Sequence, residues 1–440
     1  SQNPEPGISR PLNNNQTEDE DMNTVNPSAV KAPEKPGLID GFAKNQLLKR
    51  LQQMPRGYLL IEDGDELHGF GNPADEIDVK AKIVIQDPGT YRDIAFGGSI
   101  GGAEAYMLGK WTTPNLVDVV RLMSVNIDFL NEMDDSKSVL QRVGDKVFHL
   151  LNRNTEKQAR ENISRHYDLS NDFFELFLDP EMMYSAAIFP TADADLDEAA
   201  LHKLDVICRK LELKPSDHLL EIGTGWGGLA IYAAKNYGCR VTTTTISREQ
   251  YDTATRRVQD EGLDGKVTVL FEDYRNLSGR YDKLVSVEMI EAVGHEFYNQ
   301  YFSGCAALLK DDGLMLLQAI TIPDQRYQYA RKSVDFIQRY IFPGGSLPSH
   351  EAIISSVKSN TDLLMIGMQE IGDDYARTLE VWRERFMAKL DEVKALGFDD
   401  YFIRMWNYYL CYCQGGFEER IIGTSQILLA KPDWRRTGQA

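Results

Sequence analysis

The sequence predicts an α/β fold, a doubly wound sheet of parallel strands, with a smaller α+β unit ahead of it. Three observations lead there. From about residue 151 short apolar strands alternate with helical segments to the end of the chain. At residues 219–230 a buried strand runs through a glycine turn straight into a helix. Before residue 150 the pattern is different, with strands separated by a hairpin turn rather than by helices.

Whole-chain quantities bound the function. With 440 residues the chain has room for two or three domains, and 42% hydrophobic with 26% charged residues is a globular composition. A formal net charge of −19 argues against a nucleic-acid partner, because phosphate binding needs clustered cations. The same charge disfavours a general attraction to anionic membrane and leaves contact to a local basic patch. Cys208, Cys239, Cys305, Cys411 and Cys413 form no C-x-x-C pair. They read as reduced cytosolic thiols, not as disulfides or a zinc site. No apolar run reaches the ~18 residues of a membrane span, and no signal peptide is recognised. No metal site is expected.

Taken in order, residues 1–36 are rich in Pro, Asn, Glu and Asp and read as a disordered tail. Residues 37–150 form the expected first domain. Apolar residues at 38, 39, 42, 47, 48 and 51 fall at helical spacing. The two strands are placed at 57–62 and 81–86, with a hairpin turn at 62–65. Glycines between 97 and 109 read as a break, and a helix is expected over 116–130. No nucleophile–base pair is visible here, so this unit is assigned to binding or positioning. Residues 151–440 form the expected second domain, with strands at 218–222, 239–245, 267–271, 282–287, 313–320 and 424–430.

The segment Glu221-Ile222-Gly223-Thr224-Gly225-Trp226-Gly227-Gly228 carries the chemistry. Its glycines let the backbone turn sharply and approach a ligand, and the helix that opens there presents free N–H groups. Gly223, Gly225 and Gly228 also fit the dinucleotide fingerprint. That motif wants an acid about 20 residues on, where this chain has the hydroxyls of Thr245 and Ser247 instead. The acid lies before the glycines, at Glu221. This order resembles motif I of class I S-adenosylmethionine (SAM) methyltransferases.

Further motifs stand around it: His166-Tyr167-Asp168, Asn171-Asp172, Leu178-Asp179-Pro180, Tyr184-Ser185, Thr245-Ile246-Ser247 with Gln250, and Tyr340-Ile341-Phe342-Pro343-Gly344. Their order resembles that of the cyclopropane-fatty-acid synthases over residues 155 to 430, and residues 57–130 look like that family's lipid-handling amino-terminal domain. The resemblance implies a Rossmann-like class I SAM-methyltransferase sheet with helical lid insertions. It implies a SAM-dependent transferase acting on the double bond of an unsaturated phospholipid acyl chain. Position by position, it implies a SAM site from Tyr184, Ser185, Glu221, Gly223, Gly225, Trp226, Gly227, Thr245, Ser247, Gln250, Asp273, Tyr274 and Arg275. Tyr340, Phe342, Tyr375 and Trp382 are candidates to shield and stabilise a cationic intermediate.

Ring closure needs a base. In the family that base is a bicarbonate held by a Cys, a Glu, a His, a backbone Ile and a Tyr. The matching positions implied here are Ala186, Glu291, Gln318, Ile320 and Tyr375. Two of them depart from the pattern. Ala186 offers no polar side chain, and Gln318 donates hydrogen bonds but carries no charge. An oxyanion should be held more weakly, and Glu291 is expected to serve as base directly or through water. A methyl-branched alkene in place of the ring, a small soluble substrate, and an idle lipid-binding protein remain open alternatives. His166 is expected to order a loop over SAM. The expected setting is cytoplasmic, peripheral to the inner face of the membrane, and the family suggests a homodimer.

Overall fold

The computed structural model describes residues 37–135 and 169–435. The expected tail, the expected boundary near residue 150, and the His166-Tyr167-Asp168 motif lie outside the described residues.

The first unit has the order α1 (Leu38–Leu51), β1 (Tyr58–Asp63), β2 (Glu66–Gly71), β3 (Lys80–Ile85), α2 (Gly89–Met107), β4 (Trp111–Thr112), α3 (Leu116–Val125) and α4 (Ile127–Asp135). Its four-stranded sheet runs β2-β1-β3-β4, with β1 antiparallel to β2 and parallel to β3. Alternation along β1 and β3 turns Leu59, Ile61, Ala81, Ile83 and Ile85 inward, onto Ala43, Leu47 and Leu51 of α1 and Val119 and Leu122 of α3. The 62–65 hairpin is where it was expected, with Gly64 at φ +60°.

Two expectations for this unit are corrected. The glycines after residue 97 do not end the helix. They lie within α2, which bends sharply at Gly98 (φ 58°, ψ −140°). The bend brings the two halves so close that a Cβ at Gly101 would lie 2.0 Å from the Asp93 carbonyl oxygen. The helix expected over 116–130 is two helices parted at Asn126. That side chain donates to the carbonyls of Arg56 and Leu122 and accepts from the Arg56 N–H, so it trades helix continuity for a tie to the chain before β1.

The larger sheet has seven strands: β5 (His218–Ile222), β6 (Arg240–Thr245), β7 (Val267–Phe271), β8 (Tyr281–Val287), β9 (Leu309–Thr321), β10 (Leu364–Glu370) and β11 (Gly423–Ala430), in the order β10-β11-β9-β8-β5-β6-β7. β5 to β9 are parallel, as expected, but β11 runs antiparallel to both β9 and β10. The sheet is therefore mixed at one end. β10 went unrecognised because it is an edge strand without alternation, and Leu364, Met365 and Met368 are exposed on it. On one face lie α6 (Leu196–Lys210), α7 (Gly228–Tyr237) and α8 (Arg248–Asp260); on the other lie α9 (Tyr298–Leu308) and α12 (His350–Asn360).

The remaining helices are α5 (Asn171–Phe174), α10 (Asp324–Ala330), α11 (Phe336–Tyr340), α13 (Gly372–Ala388), α14 (Leu390–Ala395) and α15 (Asp400–Glu418). All of them but α10 contribute to an aromatic core in which Phe173, Phe177, Trp382, Phe386, Phe402 and Trp406 are buried. α15 ties the first unit to the aromatic core. Its Asn407 donates to the Tyr106 hydroxyl, and Glu418 and Glu419 pair with Arg121 of α3. A Cβ on Gly415 would approach Val120 to 2.7 Å, so the helices touch backbone to side chain.

Candidate active site

The β5–α7 bend is built by backbone conformations that need glycine. Gly223, Gly225 and Gly227 take φ of +101°, +52° and +89°. The N–H groups of Gly223 and Thr224 donate to the Thr244 carbonyl and pin the bend to β6. A Cβ on Gly228 would strike the Glu181 carbonyl oxygen at 2.7 Å, whereas one on Gly225 would meet nothing within 4 Å. Gly225 thus forms a cradle at the carboxyl end of β5, beside the first turn of a helix. Such a cradle suits the carboxylate and ribose ends of SAM.

The expected cofactor residues are held in several ways. Glu221 is buried, accepts a 2.6 Å hydrogen bond from Thr243, and has its pKa raised to about 8 by burial. Thr243 also bonds Thr224, so Glu221 braces the bend from beneath. Thr245 donates to Gln250, and Ser247 caps α8. Asp273 accepts from the backbone and guanidinium of Arg275. Tyr274 packs on Tyr301, and together with Arg275 it lines a cleft of about 500 Å³. Trp226 donates to Asn171, its ring 5.1 Å from Phe174. The Asn171 motif and the glycine motif therefore meet in space.

Tyr184 is linked to the bend through Phe174, whose ring packs on both Tyr184 and Trp226. The Tyr184 hydroxyl bonds that of Tyr409 at 2.9 Å, and its ring packs against Phe174, Phe342 and Trp382. Ser185 accepts from Lys203, which is fully buried. Burial lowers the Lys203 pKa to about 8 against the pull of Glu288, Asp179 and Glu221.

Of the expected catalytic residues, Glu291 and Ile320 are together, the Ile320 N–H donating to Glu291 Oε1 at 2.5 Å. Glu291 Oε2 is buried without a partner. Burial, with the nearby Glu288 charge, raises its pKa to about 8. Gln318 and Tyr375 form a second group, and its centre is Glu288, a residue that the motif comparison passed over. Ala186 N–H and Gln318 Nε2 donate to Glu288 Oε1 at 3.0 and 2.8 Å, and the Tyr375 hydroxyl donates to Oε2 at 2.8 Å. Tyr375 therefore bonds Glu288, not Glu291. The signal for Glu288 was its place at the end of a predicted strand, but no spacing marks which of two nearby carboxylates collects the donors. Tyr340 faces away from this group, bonding Glu104 of α2.

A model of the mycolic acid cyclopropane synthetase family matches residues 154–427. The chain belongs to this family. Tuberculostearic acid methyltransferase UfaA1 of Mycobacterium tuberculosis is 36% identical over 413 residues, spanning 92% of this chain and 95% of that protein. Cyclopropane-fatty-acyl-phospholipid synthase of Escherichia coli K12 is 39% identical over 353 residues, 80% of this chain and 88% of that protein. The solved mycolic acid cyclopropane synthase CmaA1, complexed with SAH and CTAB, is 32% identical and has a TM-score of 0.57 over 62% of this chain and 98% of that one. As a member of the cyclopropane synthetase family the protein is a SAM-dependent methyltransferase with the class I fold.

Proposed function

We propose that the protein adds a methyl group to the double bond of an unsaturated phospholipid acyl chain and closes it to a cyclopropane ring. The observation that carries this reading is a junction. The glycine cradle opens beside a wall of aromatic side chains, and that wall ends on a buried carboxylate group. When bound, SAM supplies an electrophilic methyl group. Gly225 gives its carboxyl end room, and Thr245, Ser247, Gln250 and Asp273 offer polar partners to its nucleoside.

The rest is work for the protein's own residues. A neutral alkene is a weak nucleophile, so alignment in a closed slot supplies much of the rate. Tyr184, Trp382 and Tyr409 exclude water, with the half-exposed Phe342 at the rim, and their ring faces stabilise the electron-deficient carbon left when the alkene takes up the methyl. A carboxylate at the end of β8 then receives a proton. The relatives' names support an acyl substrate, and so does the near absence of charge along this wall.

A methyl-branched product is the second reading. Ala186 and Gln318 favour it, since both depart from the ring-forming ligand set, and one relative is named a tuberculostearic acid methyltransferase. Mass spectrometry of lipids incubated with methyl-labelled SAM separates the two. A gain of one CH₂ with the double bond lost means a ring; the same gain with a double bond kept means a branch. No labelled lipid in either form would refute both.

The 37–150 region is proposed to handle lipid at a membrane surface on the cytoplasmic side. Ile39 and Phe42 are each 59% exposed on α1 and support this. Among the described residues no helix is long and apolar enough to cross a membrane. A homodimer belongs to the same proposal. The exposed apolar edge of β10 is a surface a second copy would cover, and sedimentation tests it.

A further inference from the structure

Glu288 follows directly on β8, at the carboxyl end of the sheet, and the function proposed above requires a base at this place. Three of the five positions that the family resemblance assigns to bicarbonate point their donors at its carboxylate. They are the Ala186 N–H, the Gln318 amide and the Tyr375 hydroxyl. The other two, Glu291 and Ile320, bond each other. A carboxylate and a bicarbonate present the same planar pair of charged oxygens, so donors arranged for one serve the other.

We propose that Glu288 is a built-in replacement for bicarbonate: its side chain occupies the anion's seat, and its carboxylate is the base of the methyl-transfer reaction. The inference rests on the acyl-methylation reading for the proton it removes. A C–H bond of the transferred methyl breaks, and its electron pair forms the ring bond to the electron-deficient carbon. The proton goes to a Glu288 oxygen and leaves with product release.

Three further features agree. First, the Gln318 amide has only one consistent orientation. Lys210, which can only donate, bonds Gln426 Oε1; Gln426 Nε2 donates to Gln318 Oε1; Gln318 Nε2 is thereby turned to Glu288. Second, Glu288 sits at φ +49°, in the left-handed region. A side chain there bears a steric cost that glycine would not, and such cost is characteristic of functional positions. Third, the two acids differ in support. Glu288 has three donors and the Lys203 charge nearby, whereas Glu291 has one donor and a bare oxygen. Burial raises the pKa of both acids, and at Glu288 the three donors and the Lys203 charge oppose that rise, whereas at Glu291 the neighbouring Glu288 charge adds to it.

The test uses the full chain, unsaturated phospholipid vesicles, and buffer freed of carbon dioxide or supplemented with bicarbonate. Wild-type turnover should be indifferent to bicarbonate. Glu288→Gln should lower kcat by roughly 100-fold with the KM for SAM unchanged, because the amide fills the seat but takes no proton. Bicarbonate should not help it. Glu288→Gly relieves the backbone and empties the seat, so added bicarbonate should restore roughly tenfold or more of its lost rate. Independently of turnover, ¹³C-bicarbonate should bind Glu288→Gly in the presence of SAH and not bind wild type, as read by NMR. A wild type that needs or binds bicarbonate, or a Glu288→Gln enzyme at full rate, overturns the proposal. If wild type methylates no lipid at all, the substrate reading fails, and the bicarbonate-binding comparison alone decides whether Glu288 fills the seat.

Discussion

Glu221 shows how one residue can be read correctly for place and still surprise in its chemistry. Its position ahead of the glycines distinguished a SAM motif from a dinucleotide motif. In the fold it turns to Thr243 and is buried deeply enough to raise its pKa to about 8. The sign of the resulting pH dependence follows. Between the ordinary carboxyl value of 4.5 and about 8, the unfolded chain has released this proton and the folded chain still holds it. Folding stability is therefore greatest below the lower value, falls as pH rises through the interval, and levels off above it. Glu291, shifted the same way, adds to the slope. Melting temperatures measured from pH 5 to 8.5 should decline, and the decline should be shallower in Glu221→Gln. An equal slope in the variant would mean that Glu221 is ionised in the folded state. Lys203 is a second residue to test. Lys203→Met keeps the volume, removes the buried charge, and leaves Ser185 without its donor. Turnover should fall more than the melting temperature, with the activity profile on pH displaced upward, because the carboxylates lose the cation that favours their ionised form.

At the scale of elements, two glycines that look alike in sequence have separable tasks. Gly225 lies on the β5–α7 bend with open space beside it, and Gly101 lies in α2 with a carbonyl 2.0 Å from where a Cβ would go. Gly225→Ala should cost about 1 kcal/mol of stability for its φ of +52° and weaken SAM binding at least tenfold by filling the cradle. Gly101→Ala should cost several times that in stability, through displaced backbone, while the surviving folded enzyme binds SAM normally. Denaturation midpoints and SAM titration calorimetry check both halves. The missed strand β10 and the split at Asn126 belong to this scale as well. An edge strand need not alternate, because it has solvent beside it. A helix break caused by one Asn finding partners 70 residues away leaves no local mark.

At the scale of the whole molecule, the first unit reaches the reaction centre through Glu104. This carboxylate on α2 pairs with Arg339 at 3.2 Å and bonds the Tyr340 hydroxyl, and both partners lie at α11. A few residues on, Phe342 packs against Tyr184 and Tyr409. Docking of the first unit thus sets the position of one aromatic wall. Glu104→Ala should raise the KM for vesicle lipid severalfold and leave SAM affinity unchanged, a split that steady-state kinetics with each substrate varied resolves. If both constants stay at their wild-type values, α11 is held by packing alone.

By itself the sequence determined the parts whose causes are local. Alternation and apolar runs placed β5 to β9 and β11, the glycines placed the β5–α7 bend, and ordered motifs placed the family and offered Glu291, Gln318, Ile320 and Tyr375 as candidates. It left to tertiary structure the choices that depend on distant donors. Whether Tyr375 bonds Glu288 or Glu291, whether β11 runs with or against β9, and which aromatic residues wall the slot are decided by segments far apart in the chain, 87 residues for Tyr375 and Glu288 and 225 for Tyr184 and Tyr409, closing on one another. The physical reason is that a side chain's protonation and partners are fixed by what crowds it after folding. Local sequence specifies the backbone that carries Glu288, but only the closed molecule brings Ala186, Gln318 and Tyr375 to its two oxygens.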